Sequence, residues 1–270
     1  MIAALVACSG KPRPEAASHG GATPGDAGGS AGAMVGSGSA GDQPRGTTGD
    51  LQIHVAWPDV PVAARSSPGR TPCGTPRTPS VAPTTTWGVP DALVIVDGAG
   101  GPPPVAHVTL ADCTLAPRIA AGSSIAITSA VDHPARLVLR KRGPASDLAH
   151  LTDGAPLPVL LPIAGHTVVA ALDAGAIYSL ETAAPAASQP GQAGAASTDA
   201  GAAELAFFVA YPGSYITDAS GQVTAAGLTA GKHAVTAWLP PRAGQPARLG
   251  HGTTTVVAGE LAELTVALTP

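Results

Sequence analysis

Three cysteines, eight histidines and two methionines are the side chains of this 270-residue chain best suited to covalent chemistry or to holding a soft metal. Their spacing assembles little. His19, His54, His107, His133, His150, His166, His233 and His251 never stand two or four apart, so no strand or helix face presents a ready pair of imidazoles. Scattered strand and loop histidines read as half-exposed or hydrogen-bonded. No nucleophile elbow, phosphate loop or zinc-protease helix is present. Gly231-Lys232-His233 lacks both the upstream glycine and the hydroxyl residue of a phosphate loop. The stretch from Gly36 to Gly41 matches the dinucleotide fingerprint by letter. No strand precedes it and no helix follows, so it reads as composition. The expectation is a protein with no catalytic residue, no metal ligand and no cofactor.

One cysteine has a sharper reading. Leu5-Val6-Ala7-Cys8, followed by Ser9 and Gly10, resembles a bacterial lipoprotein signal. The resemblance implies that Cys8 becomes the lipidated N-terminus of the mature protein. It also implies a cell-envelope location, lipid-anchored in the outer membrane and facing the periplasm or the exterior. The apolar run is short and carries no Lys or Arg before it, unlike a full secretory signal. The alternative is a short apolar N-terminus of a cytosolic protein. If Cys8 is lipidated, Cys73 and Cys113 remain. An even pair in an exported chain reads as a disulfide, closing a loop of about 40 residues worth roughly 3–4 kcal/mol. Two soft metal ligands are the alternative, although no Cys-x-x-Cys supports them.

Around these residues the chain is poor in aromatics, at 3%, so its cores must be built from Val, Leu, Ile and Ala. The net charge of −4 and a pI near 6.0 give no electrostatic footprint for nucleic acid. With 34 glycines and 28 prolines, many turns and short strands are expected. Residues 9–50 are Gly, Ala, Ser and Pro without periodicity and read as a flexible tether. A second low-complexity tract runs over 183–203. No stretch approaches the ~18 apolar residues of a spanning helix.

The rest is strand-like. Leu51-Gln52-Ile53-His54-Val55 alternates, while Ala92-Leu93-Val94-Ile95-Val96 is a continuous apolar run. Further runs cover 105–110, 124–128, 136–140, 158–163, 167–172, 177–181, 206–210, 214–217, 232–238, 254–257 and 264–268. Short strands about ten residues apart predict an all-β protein of sandwiches or barrels.

From Cys73-Gly74 through 89–96, Asp112-Cys113-x-x-x-Pro117, 122–128, Asp132 and 175–181, the chain resembles exported bacterial proteins with a plastocyanin-like (cupredoxin) domain. Thr217-Asp218-x-x-Gly221-x-Val223 and Leu228-x-x-Gly231-x-x-x-Val235-x-x-Trp238 resemble the carboxypeptidase-regulatory-like, prealbumin-like module that follows it in that family. The implied fold is a cupredoxin-like Greek-key β-sandwich over 51–211, with 183–203 as an insert, then a small prealbumin-like sandwich over 212–270. Residues 204–210 are expected to return to the first sandwich beside the strand containing Ile177. The tether 9–50 and the signal 1–8 precede both.

The resemblance fails where copper would bind. A blue-copper site needs two His, a Cys thiolate and a weak axial ligand, usually Met. The family's first His falls on Arg136, its Cys on Glu181 and its second His on Ala184, and the only methionines are Met1 and Met34. His133 is one spare imidazole beside a proline. This implies a non-enzymatic structural or binding protein of the envelope. A copper or electron-transfer protein with atypical ligands is the alternative. Its partners would be the membrane, through the anchor, and an envelope protein or glycan. Arg136, Arg140, Lys141 and Arg142 form a basic cluster, read as a solvated edge or as a contact for anionic headgroups or glycan. Trp238 is expected to be a core residue. Tyr211, Tyr215, Phe207 and Phe208 are placed to cement the two modules.

Overall fold

The computed structural model describes residues 46–60, 88–100, 104–111, 114–182, 205–241 and 246–269, and every regular element among them is a β-strand. The chain opens with β1 (Thr48–Ala56) and β2 (Leu93–Val96). It then runs through β3 (Val105–Ala111), β4 (Thr114–Ala116), β5 (Ile119–Ala121), β6 (Ser124–Ser129), β7 (Ala135–Pro144), β8 (Pro156–Leu161), β9 (Thr167–Ala171), β10 (Ala176–Thr182) and β11 (Leu205–Val209). It returns through β12 (Ser214–Ile216), β13 (Gln222–Thr229), β14 (Gly231–Leu239), β15 (Arg248–Val256) and β16 (Leu261–Ala267).

These strands make four sheets, ordered β13-β1-β16, β12-β2-β14-β15, β5-β11-β10-β7-β8 and β4-β3-β6-β9. Three apolar layers join them. Leu51, Ile53 and Val55 of β1 meet Val94, Val96, Val235 and Ala237 between the first two sheets. Leu93, Ile95 and Trp238 meet Ile119, Ile177, Phe207 and Val209 between the second and third. Leu137, Leu139, Leu180 and Phe208 meet Val108, Leu110, Ile125 and Ile127 between the third and fourth. Strand alternation explains the pattern, since successive side chains enter opposite layers. β2 and β11 sit in middle sheets with apolar layers on both sides, so their sequences are continuous apolar runs. β1 faces only one layer, so it alternates.

The domain boundaries differ from the sequence expectation. β1 and β2, expected in the first sandwich, belong with the strands after residue 212. β1 is the central strand of its sheet, with Ile53 opposite Val223 of β13 and parallel to Leu264 of β16. β2 lies between β12 and β14, with Val94 opposite Tyr215 and Ala237. The physical reason is that β13 and β16 share no other neighbour, and that parallel partners need a long connection between them. The result is an outer sandwich built from both ends of the described chain and an inner sandwich, 104–210, set between β2 and β12. β11 lies beside β10, with Phe207 opposite Ser179, and parallel to β5 on its other side. That is the position expected for 204–210.

The two sandwiches pack through the middle layer. The rings of Phe207 and Trp238 meet edge to face, with centroids 5.2 Å apart and planes at 86°. Tyr211 is partly buried against the same layer, whereas Phe208 points into the inner core and Tyr215 packs on the outer one. Trp238 is fully buried.

A polar knot closes the outer sandwich. The Thr217 hydroxyl accepts the Ala92 N–H at 2.9 Å and donates to the Val89 carbonyl at 2.7 Å. Asp218 Oδ1 accepts the N–H of Ser220, the Ser220 hydroxyl and the N–H of Gln222, at 2.8, 2.7 and 3.0 Å. The Ser220 hydroxyl is the main reason that the Asp218 carboxyl is held below its ordinary range, with these N–H groups adding to it. Gly88 passes so close that a Cβ there would overlap the Ser220 carbonyl.

Candidate functional site at the loop end of the inner sandwich

The resemblance directs attention to the end of the inner sandwich where β6 turns into β7 and β10 ends. Backbone bonds draw the loops there together. Ser129 N–H donates to the His166 carbonyl at 3.0 Å, and Gly165 N–H to the Ser129 carbonyl at 2.7 Å. Ala135 sits opposite Leu161, and Leu137 opposite Thr182. His133, Arg136 and Glu181 therefore share one end of one sandwich.

Their chemistry is that of a solvated, ion-paired surface. Leu137 and Leu139 point into the inner core, so Arg136 points the other way and is exposed. The His133 imidazole lies 3.5 Å from the Asp132 carboxylate, both open to solvent. Glu181 is half-buried; one carboxylate oxygen lies 3.7 Å from Arg140 Nε, and the other accepts the Ser179 hydroxyl at 3.3 Å. Among the described residues no group of three His, Cys, Asp or Glu lies close enough to hold a metal ion. Ala184, Cys8, Cys73 and Cys113 lie outside the described residues.

The basic strand is not the free edge suggested by its sequence. β7 runs between β10 and β8, inside its sheet. The loops after β7 and before β10 bring acids to its cations. Lys141 Nζ meets Asp173 Oδ2 at 2.8 Å, and Arg142 pairs with Asp153. The Lys141 hydrogen bond, then that of Tyr178, holds the Asp173 carboxyl below its ordinary range, while the same Asp173 contact raises the lysine. The Tyr178 hydroxyl accepts the Asp173 N–H at 3.2 Å, and burial pushes its phenol up. β8, the true edge, carries Pro156 and Pro158, which lack the N–H that would recruit another strand.

His233, grouped in the sequence with the half-exposed or hydrogen-bonded histidines, is the buried one among the described residues. It is 5% exposed, and its two ring nitrogens face the carbonyl oxygens of Asp97 and Thr229, each at 2.8 Å. The Gly231-Lys232-His233 string carried no signal of this, because both acceptors are main-chain atoms brought in by the fold. Comparison with protein-family models, curated proteins and solved structures finds no match for this chain.

Proposed function

We propose that this chain is a non-enzymatic lipoprotein of the cell envelope, anchored through Cys8, with a structural or binding role. In this reading the inner sandwich is a cupredoxin-like Greek key that no longer holds copper. The outer one is a carboxypeptidase-regulatory-like, prealbumin-like module. Support for the fold comes from the inner sheets, which interleave the parallel pairs β3/β6 and β5/β11 among antiparallel ones. Non-sequential neighbours of this kind exclude a simple meander, in which each strand pairs with the next.

The observation that carries the loss of copper is the donor set. A type 1 site needs imidazole and thiolate. Here a guanidinium at Arg136 points outward, and the Glu181 carboxylate is engaged by Arg140 and Ser179. These residues do not fit the metal. Cu(II) titration of the purified chain, followed by its optical spectrum, tests the reading. The expected result is no intense blue absorption; its appearance would make the alternative, an electron-transfer protein with atypical ligands, the better account.

Labelling with palmitate tests the anchor separately, since wild type should incorporate label and Cys8→Ser should not. Alkylation of the oxidised protein tests the bond proposed between Cys73 and Cys113, which should yield no free thiol at either.

A further inference from the structure

The outer sandwich gives up the chain at Gly100 and takes it back at Gly213. The two crossings touch, since a Cβ on Gly100 would lie 3.4 Å from Gly213 N. Beside them, β5 ends the third sheet and β12 ends the second. The cleft at this junction, about 490 Å³, is lined by Pro104, Pro117 and residues 119–121 of the inner sandwich and by residues 214–216 of the outer one. That volume lies within the range of small-molecule sites, which favour the joints between domains.

Two features make the cleft more than a seam. The first is a lining of uncharged described residues whose strand edges turn main-chain groups toward the cleft. Val96 N–H donates to the Gly213 carbonyl and Thr217 N–H to the Ala92 carbonyl. Antiparallel alternation then turns the main-chain groups of Ser214 and Ile216 toward the open edge. On β5, Phe207 N–H donates to the Arg118 carbonyl and Gly122 N–H to the Val209 carbonyl. This turns the groups of Ile119 and Ala121 toward their own open edge. The second feature is Ser214 Oγ. It is buried at the cleft wall and has no hydrogen-bond partner among the described residues. The Tyr215 hydroxyl also reaches the cleft, close to Gly100, and burial raises its phenol above the ordinary range.

We infer that this junction cleft binds a small, uncharged molecule with an apolar body and one hydrogen-bonding group that meets Ser214. Charge complementarity argues for neutrality, because an ionic ligand would be desolvated against walls whose described lining residues carry no counter-charge. The apolar body is set by the prolines, alanines and isoleucines, and the polar end by the unpaired hydroxyl and strand edges. The site depends neither on the anchor nor on the absence of copper, so its failure would leave both of those proposals standing.

The neutral fluorophore N-phenyl-1-naphthylamine, a two-ring body with one N–H, is a suitable probe. It is titrated into the full-length chain carrying Cys8→Ser, which removes the need for detergent. Saturable enhancement at one probe per chain is expected. Ser214→Ala should weaken binding by about 2- to 10-fold, the worth of one hydrogen bond. It should leave the thermal midpoint unchanged or higher, because the hydroxyl has no partner to lose among the described residues. Ala121→Phe should fill the cleft and weaken binding by more than about tenfold. The inference is overturned by unsaturable partitioning of the probe, or by Ser214→Ala binding with wild-type affinity. A lowered midpoint in Ser214→Ala would also overturn it, because the hydroxyl would then be structural. If Ala121→Phe does not fold, the Ser214→Ala pair of measurements decides alone.

Discussion

The inner sandwich is continuous in sequence, and the outer one is assembled from two pieces more than a hundred residues apart. Strands of the inner sandwich find partners within 104–210. Apart from the bridge between Ala56 and Gly88, β1 and β2 of the outer one find theirs after residue 213. The two halves are also closed differently. The outer sandwich uses buried polar bonds at Thr217 and His233, whereas the inner one carries exposed ion pairs along β7. An insertion leaves the host's two ends touching, at Gly100 and Gly213 here, and so creates a joint with open strand edges on both sides. The same contrast sorts the expected effects of changing the chain.

Removing everything after residue 211 should have the largest effect. β1 and β2 would lose every ladder partner, so amides of residues 51–55 and 93–96 should exchange with solvent at once. Amides of β3, β6, β7 and β10 should keep protection, although the exposed middle layer lowers their stability. Protection of Ile53 and Val94 in that fragment would mean that the split is drawn wrongly.

Next comes the layer between the sandwiches. Trp238→Ala should cost about 3–5 kcal/mol in chemical denaturation, through the lost burial and the cavity it leaves. Part of that, about 0.5–1.5 kcal/mol, comes from the ring contact with Phe207. Trp238→Phe should cost much less, since the indole N–H is buried without a partner among the described residues.

The polar anchors should rank third. Thr217→Val keeps the shape of the side chain but leaves the Ala92 N–H and the Val89 carbonyl short of a partner. A cost of about 1–3 kcal/mol is expected, read from the denaturation midpoint. His233→Ala strips the Asp97 and Thr229 carbonyls and should fall in the same range.

The smallest effects belong to the surface of the inner sandwich. Lys141→Ala should barely move the denaturation midpoint, and less still in high salt. Acid should act through Asp173 and Asp218. Both carboxyls are depressed in the folded state. The unfolded chain therefore binds protons first as pH falls, and their contribution, complete above the ordinary carboxylate range, is lost as pH drops through the folded values. Asp173→Asn and Asp218→Asn should each flatten the acid limb of a stability–pH curve; an unchanged limb would show that these contacts do not persist in solution.

Much of this fold was legible in residues. Alternation at Leu51-Gln52-Ile53 marked a strand with one buried face, and the unbroken run at 92–96 marked one buried on both. Trp238 was placed in a core, and residues 206–210 beside Ile177. Alternation reports a face and not a neighbour, however. Nothing between Leu51 and Val55 names Val223 or Leu264, and sequence proximity assigned β1 to the wrong sandwich. The site was half legible for the same reason. The unsuitability of Arg136 and Glu181 for copper follows from residue type. The Arg140 contact that occupies Glu181 depends on the register between β7 and β10. The junction cleft was illegible, since it is made by two chain crossings and two short edges of apolar and small residues.

The split of the outer sandwich underlies both the layer at Trp238 and the cleft at Ser214, and cross-strand nuclear Overhauser contacts in the full-length protein test it most directly. The account predicts contacts between the parallel neighbours Ile53 and Leu264, and between the antiparallel partners Val96 and Val235. Contacts from Leu51, Ile53 or Val55 to strands within 105–209, with none to residues 261–267, would contradict it.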